Sequence, residues 1–255
     1  MPERMPRLSR RRLLALMLAP GLIAIAAAPT ARASWWPFNP DVLRALTRRP
    51  DASDLTTAEI IEAVHEALII ASHSATETLS QRNGFFGNPD VRIPLPEVLA
   101  TARRSLDRIG MATPLTQLEE GMNRAAEAAI PEAREPLVRA VFALDLDNAR
   151  EILGGDDDAA TRHLEYHARA GITEAMRPAI QQSLEQVQAL DTYGELKERM
   201  RDIPFLARVR FDPVEHVLEH AMDGLFFMLA EEEARLRANP QGRGTDVLHR
   251  VFRRQ

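Results

Sequence analysis

Asp212-Pro213-Val214-Glu215-His216-Val217-Leu218-Glu219-His220-Ala221-Met222-Asp223-Gly224-Leu225-Phe226-Phe227-Met228-Leu229 is the stretch that decides the fold class. Asp212 and Glu215 form a capping box, and Pro213 takes the first helical position, where a missing N–H is no loss. Val214, Val217, Leu218, Ala221, Leu225, Met228 and Leu229 then recur at helical spacing. The reading is one long helix with an apolar stripe, running to about Ala238 and stopped by Asn239-Pro240.

The same grammar repeats on either side. Thr56 with Glu59 is a second capping box, followed by Ile60, Ile61, Val64, Leu68 and Ala71, and Asn83-Gly84 is a natural stop. Further helices are expected from Glu97 to about Ile109, stopped by Gly110, and from Thr113-Pro114 to about Ala129. Another opens at Pro131, and a short one runs from Asp147 to Gly154-Gly155. Asp156-Asp157-Asp158 precedes Ala159, where carboxylates suit the free N–H groups of a helix start. That helix is expected to weaken at Gly171 and kink at Pro178. A short helix around 192–201 and a last one capped by Thr245, carrying Val247, Leu248, Val251 and Phe252, complete the set. Alternation of strand type is absent except at Asp90 to Leu95, where prolines forbid a central strand. The class is all-α: a single multi-helix domain over 55–255 of about nine helices, with an extended Pro-rich strap at 84–96.

The strap carries a family resemblance. Gly84-Phe85-Phe86-Gly87-Asn88-Pro89-Asp90-Val91-Arg92-Ile93-Pro94-Leu95-Pro96 resembles the signature of the bacterial domain-of-unknown-function family 4197. Three further strings fit the same family in order and spacing: Met122-Asn123-Arg124-Ala125-Ala126-Glu127, Ile152 to Thr161, and Asp223 to Glu233. The resemblance covers about residues 55–252. It implies an exported helical envelope protein, and it implies no activity, substrate or cofactor. Many members carry a lipoprotein signal; this chain has no cysteine, so a lipid anchor is not carried over.

The first thirty-three residues bear on location. Ser9-Arg10-Arg11-Arg12-Leu13-Leu14 leads into an apolar run to Ala28, and Ala31-Arg32-Ala33 offers a cleavage site. The expectation is a signal peptide cleaved near Ala33, resembling a twin-arginine export signal, and a periplasmic mature protein with no membrane span. Residues 34–54, with Trp35, Trp36 and Phe38, read as a linker or N-terminal arm. Six arginines and one glutamate in 1–33 give +5 there, so against −5 overall the remainder carries −10. So acidic a surface repels phosphate backbones and speaks against nucleic acid as a partner.

Candidate site residues cluster on the strap and its neighbours. Phe85, Phe86, Val91, Ile93 and Leu95 give the strap apolar contacts. The candidate ligand-binding set is Phe85 and Phe86, with Asn88 and Arg92 as polar contacts, together with Asn123, Arg124, Glu127 and Asp223. The strap is either a structural clasp or the wall of a binding groove. Asn123 and Glu127 lie four apart on one helix face; Arg124 pairs with Glu127 or Glu120, and Arg92 reaching Glu127 would tie the strap down. Gly224 sits mid-helix, tolerable where another backbone packs closely, with Asp223 free to bond that neighbour. Glu231-Glu232-Glu233 reads as a solvated turn. His216-Val217-Leu218-Glu219-His220 matches H-x-x-E-H, in which two histidines share a metal and Glu219 serves as base, and His163 and His167 repeat the spacing. The motif is short and no third ligand follows. No cofactor is indicated. The leading expectation is non-enzymatic binding of a small apolar or amphipathic ligand, or of an envelope protein. The alternatives are a metal-dependent hydrolase using His216, Glu219 and His220, and a structural envelope component.

Overall fold

A computed structural model describes residues 55–144, 147, 149–200, 211–239 and 245–252, without the side chains of residues 199 and 200. The chain separates into two units, Met1–Arg49 and Pro50–Gln255, and every described residue belongs to the second. The expected export signal and the arm at 34–54 lie outside the described residues.

The fold is all-α. In chain order the helices are α1 (Thr57–Ser80), α2 (Glu97–Asp107), α3 (Thr113–Ala129), a 3-10 turn (Ile130–Ala133), α4 (Arg134–Ala143), α5 (Ala149–Leu153), α6 (Ala159–Gln186), α7 (Ala189–Met200), α8 (Pro213–Ala238) and α9 (Asp246–Phe252). Among the described residues there is no strand, and no helix is long and apolar enough to cross a membrane.

Local chemistry sets the two central helices. The Thr56 hydroxyl accepts from the Glu59 N–H, and the Glu59 carboxylate returns a bond to the Thr56 N–H. Asp212 Oδ1 accepts from the N–H groups of Val214 and Glu215, but the expected box is only half made, because the Glu215 carboxylate pairs with Arg177 of α6 instead. The α8 stripe buries Val217, Leu218, Ala221, Leu225 and Leu229 against α1, α3 and α6. α6 also packs on α3 and α4, and α9 lies against α1.

Three local expectations are corrected. α6 is one 28-residue helix with no break or restart at Gly171 and with Pro178 inside it, because burial of Ile172, Met176 and Ile180 on one face outweighs the helix-breaking tendency of both residues. The helix at 113 begins at Thr113 itself, with Ala112 as its unassisted cap. Asp158 makes no side-chain cap to α6; Asp156 and Asp158 instead face Arg162 at 2.7 and 3.0 Å on the surface.

Candidate functional site

The strap is laid onto α3 by a row of polar side chains at four-residue spacing, Glu119, Asn123 and Glu127. Residues one helical turn apart share a face, so the three meet successive stretches of the strap. Glu127 Oε1 accepts from the N–H groups of Phe85 (3.2 Å) and Phe86 (3.1 Å). Asn123, fully buried, accepts from the Ile93 N–H at 2.9 Å and donates to the Ile93 carbonyl at 2.8 Å. Glu119 takes Arg92 at 3.1 Å on Oε1 and Arg103 on Oε2. Arg92 therefore holds the strap through Glu119 rather than Glu127.

Arg124 binds Glu127 Oε2 at 2.7 Å, Asn83 Oδ1 at 2.8 Å and Glu120 at 3.4 Å. The hydrogen bond to Glu127 raises its pKa. The Phe86 ring lies against two guanidiniums, those of Arg92 (4.2 Å) and Arg124 (5.5 Å). Asn88 Oδ1 accepts from the Asp90 N–H at 3.1 Å, fixing the turn.

The strap's other side meets α8. A Cβ on Gly224 would stand 2.9 Å from the Phe85 ring and 3.1 Å from Val91 Cβ. The glycine makes room for strap side chains, not for another backbone. Asp223 pairs with Arg169 of α6 instead of with the strap. Gly84 has a related role: a Cβ there would meet the Leu79 carbonyl oxygen at 2.4 Å.

His216 latches the strap's end. Its Nε2 lies 2.7 Å from the Pro94 carbonyl oxygen, which can only accept, so Nε2 carries the hydrogen. His220 Nδ1 donates in the same way to the His216 carbonyl at 3.0 Å. Burial, opposed by the Pro94 bond, holds the His216 pKa below the ordinary imidazole value. Glu219 is exposed, and among the described residues no group of three His, Asp or Glu side chains is placed to hold a metal ion. The rings of His163 and His167 lie 4.6 Å apart on α6.

A second polar centre joins the other two family-like strings. Glu233, with no exposed surface, accepts from the N–H groups of Ala160 (3.1 Å) and Thr161 (2.7 Å), the first turn of α6. Arg237 binds Glu233 at 2.8 Å and donates to the carbonyls of Leu153 (2.9 Å) and Ile152 (3.0 Å). One ion pair on α8 thus satisfies the end of α5 and the start of α6. Glu232 and Glu233 are buried, which overturns the solvated reading of 231–233. The two family-like strings and the i, i+4 spacing of Glu233 and Arg237 are the sequence signals of this centre.

A third feature had no sequence signal. Two adjoining clefts of about 580 and 350 Å³ lie between α4 and α6 and share Pro136, Arg139 and Ala175. Ala128, Ala129, Ala140, Ala143, Ala168, Gly171 and Ala179 supply small side chains along them, and Glu132, Glu135, His167, Gln182 and Gln186 supply polar ones. They form one furrow reaching from Ala128 and Gln186 to Leu144 and His167.

A family model described as "Protein of unknown function (DUF4197)" matches residues 54–253, and the chain belongs to that family. No curated protein and no solved structure matches it.

Proposed function

We propose that this is an exported envelope protein that works by binding rather than by catalysis, and that the α4–α6 furrow takes an amphipathic helix of a partner protein. The furrow carries the reading: it is open, α4 and α6 flank it, and its lining mixes alanines with the polar side chains of Glu132, Glu135, Arg139, Gln182 and Gln186, which suits an amphipathic helix. Charge at the furrow asks for a partner of mixed sign, with a base for Glu132 and Glu135 and an acid for Arg139. Support also comes from the strap and the Glu233 centre. Asn123, Glu127 and Glu233 are bonded to this chain's own backbone, which is the work of architecture.

A photo-crosslinking residue at Ala140, expressed in cells, tests the proposal. It should give one protein adduct whose crosslinked peptide is helical and amphipathic, and Ala175→Trp, which fills the furrow's middle, should abolish it. An adduct unchanged by Ala175→Trp in a protein that still folds overturns the assignment.

A second reading rests on Phe86 between its two guanidiniums. There the strap's outer side would receive the head of an anionic amphiphile, together with Asn88. Native mass spectrometry should then show a bound mass that Phe86→Ala removes; a bare chain refutes it.

A further inference from the structure

The end of α2 is a surface of a different kind. α2 buries only Leu99 and Ala102, and leaves Val98 45% exposed. Just past it Ile109 is 66% and Met111 62% exposed. The turn that carries them is fixed. The Gly110 N–H donates to the Asp107 carbonyl at 3.1 Å and the Met111 N–H to the Leu106 carbonyl at 3.0 Å. Gly110 has φ +71°. This is a Schellman closure, which needs a residue in the left-handed region at that position. Two large apolar side chains are therefore held toward water by a closed, glycine-dependent turn.

Charge at the same end says what covers them. Between residues 103 and 111 stand Arg103, Arg104 and Arg108 and one carboxylate, the exposed Asp107, on a chain whose formal net charge is −5. Arg103 is bound to Glu119. Among the described residues Arg104 reaches only the uncharged Thr101 hydroxyl, at 2.8 Å. Exposed arginines next in sequence to protruding apolar side chains complement an anionic lipid surface: the side chains enter the acyl boundary and the guanidiniums meet phosphates. We infer that the Arg104–Met111 tip docks reversibly on an anionic phospholipid bilayer, independently of the α4–α6 furrow.

The absence of cysteine makes the test direct. Met111→Cys in the full chain gives one attachment point for an environment-sensitive fluorophore, and Tyr166→Cys, at a position 86% exposed on α6, is the control. With phosphatidylglycerol–phosphatidylcholine vesicles the Met111 label should shift to the blue and the Tyr166 label should not. Pure phosphatidylcholine should give no shift, and added salt should reverse it, since screening weakens exposed charges. Arg104→Gln with Arg108→Gln should lower the ratio of bilayer-inserted to solvated label roughly thirtyfold, about fivefold per arginine. The inference is overturned if the Met111 label stays unshifted while vesicles co-sediment with the chain, or if both labels shift alike. A shift that grows with protein concentration without vesicles also overturns it, since a second copy then covers the tip.

Discussion

The strap anchor and the Glu233–Arg237 centre solve one problem in two environments. Each uses a helix-borne carboxylate to satisfy N–H groups of a remote segment, and each backs that carboxylate with an arginine on its own helix. At the strap the arginine is partly open: the Arg124 side chain is 21% exposed beside Glu127 at 6%. At the second centre both side chains are enclosed, Arg237 at 2% and Glu233 at 0%. The difference teaches that equal bonding patterns carry unequal consequences. Water can reach Arg124 when its partner is lost, and it cannot reach the buried Glu233–Arg237 pair.

Arg237→Met breaks the comparison hardest. It leaves Glu233 buried without its cation and should cost about 3–5 kcal/mol in urea unfolding, with Glu233→Gln/Arg237→Met recovering a good part. Asn123→Ala comes next, since it strips partners from both backbone groups of Ile93. A loss of about 2–4 kcal/mol is expected. Hydrogen exchange at Ile93 should quicken well before exchange at Ala160, because the strap lifts alone.

Gly224→Ala sharpens the packing side of the strap. Alanine gains up to about 1 kcal/mol of helix propensity but crowds Phe85 and Val91, for a net loss of about 1 kcal/mol that Phe85→Leu should relieve. Glu127→Gln keeps an acceptor for Phe85 and Phe86 and should cost about 1 kcal/mol, far less than the matching Glu233→Gln.

The smallest expected effect is in pH. Burial places the folded-state pKa of His216 below that of the unfolded chain, and His65 has the same sign for the same reason. As pH falls, the unfolded chain takes up protons first. Stability from these groups is intact above about 6.5 and declines as pH drops through the depressed values. His216→Gln should flatten the slope of stability in mildly acidic buffer.

Much of this architecture is legible in the residues. The capping box at Thr56, the Asp212 cap and the stripe from Val217 to Leu229 give α1 and α8, because these are local signals. Asn123 and Glu127 are legible as one face. Glu119 completes that row one turn earlier, and the four-residue spacing is the signal that would have found it. The start of α6 at Ala159 is legible, but its cap is not: propensity rules look only at neighbours in sequence and so point to the nearest aspartates. Glu233, 73 residues from Ala160, is named by no local pattern, and an i, i+4 Glu–Arg pair looks the same whether it is solvated or enclosed. The furrow was illegible for another reason: much of its lining is alanine, and alanine marks helix far more strongly than it marks a surface.

The borrowed cap on α6 has a consequence for synthesis. The chain leaves the ribosome from its amino end, so the first turn of α6 emerges long before Glu233 does. Until α8 arrives, Ala160 and Thr161 have no carboxylate to meet, and a nascent chain halted before residue 233 should hold α6 with a frayed beginning. Closure of this protein is therefore a late, long-range event. A force-sensing arrest peptide placed after α8 should register tension that one placed after α7 does not.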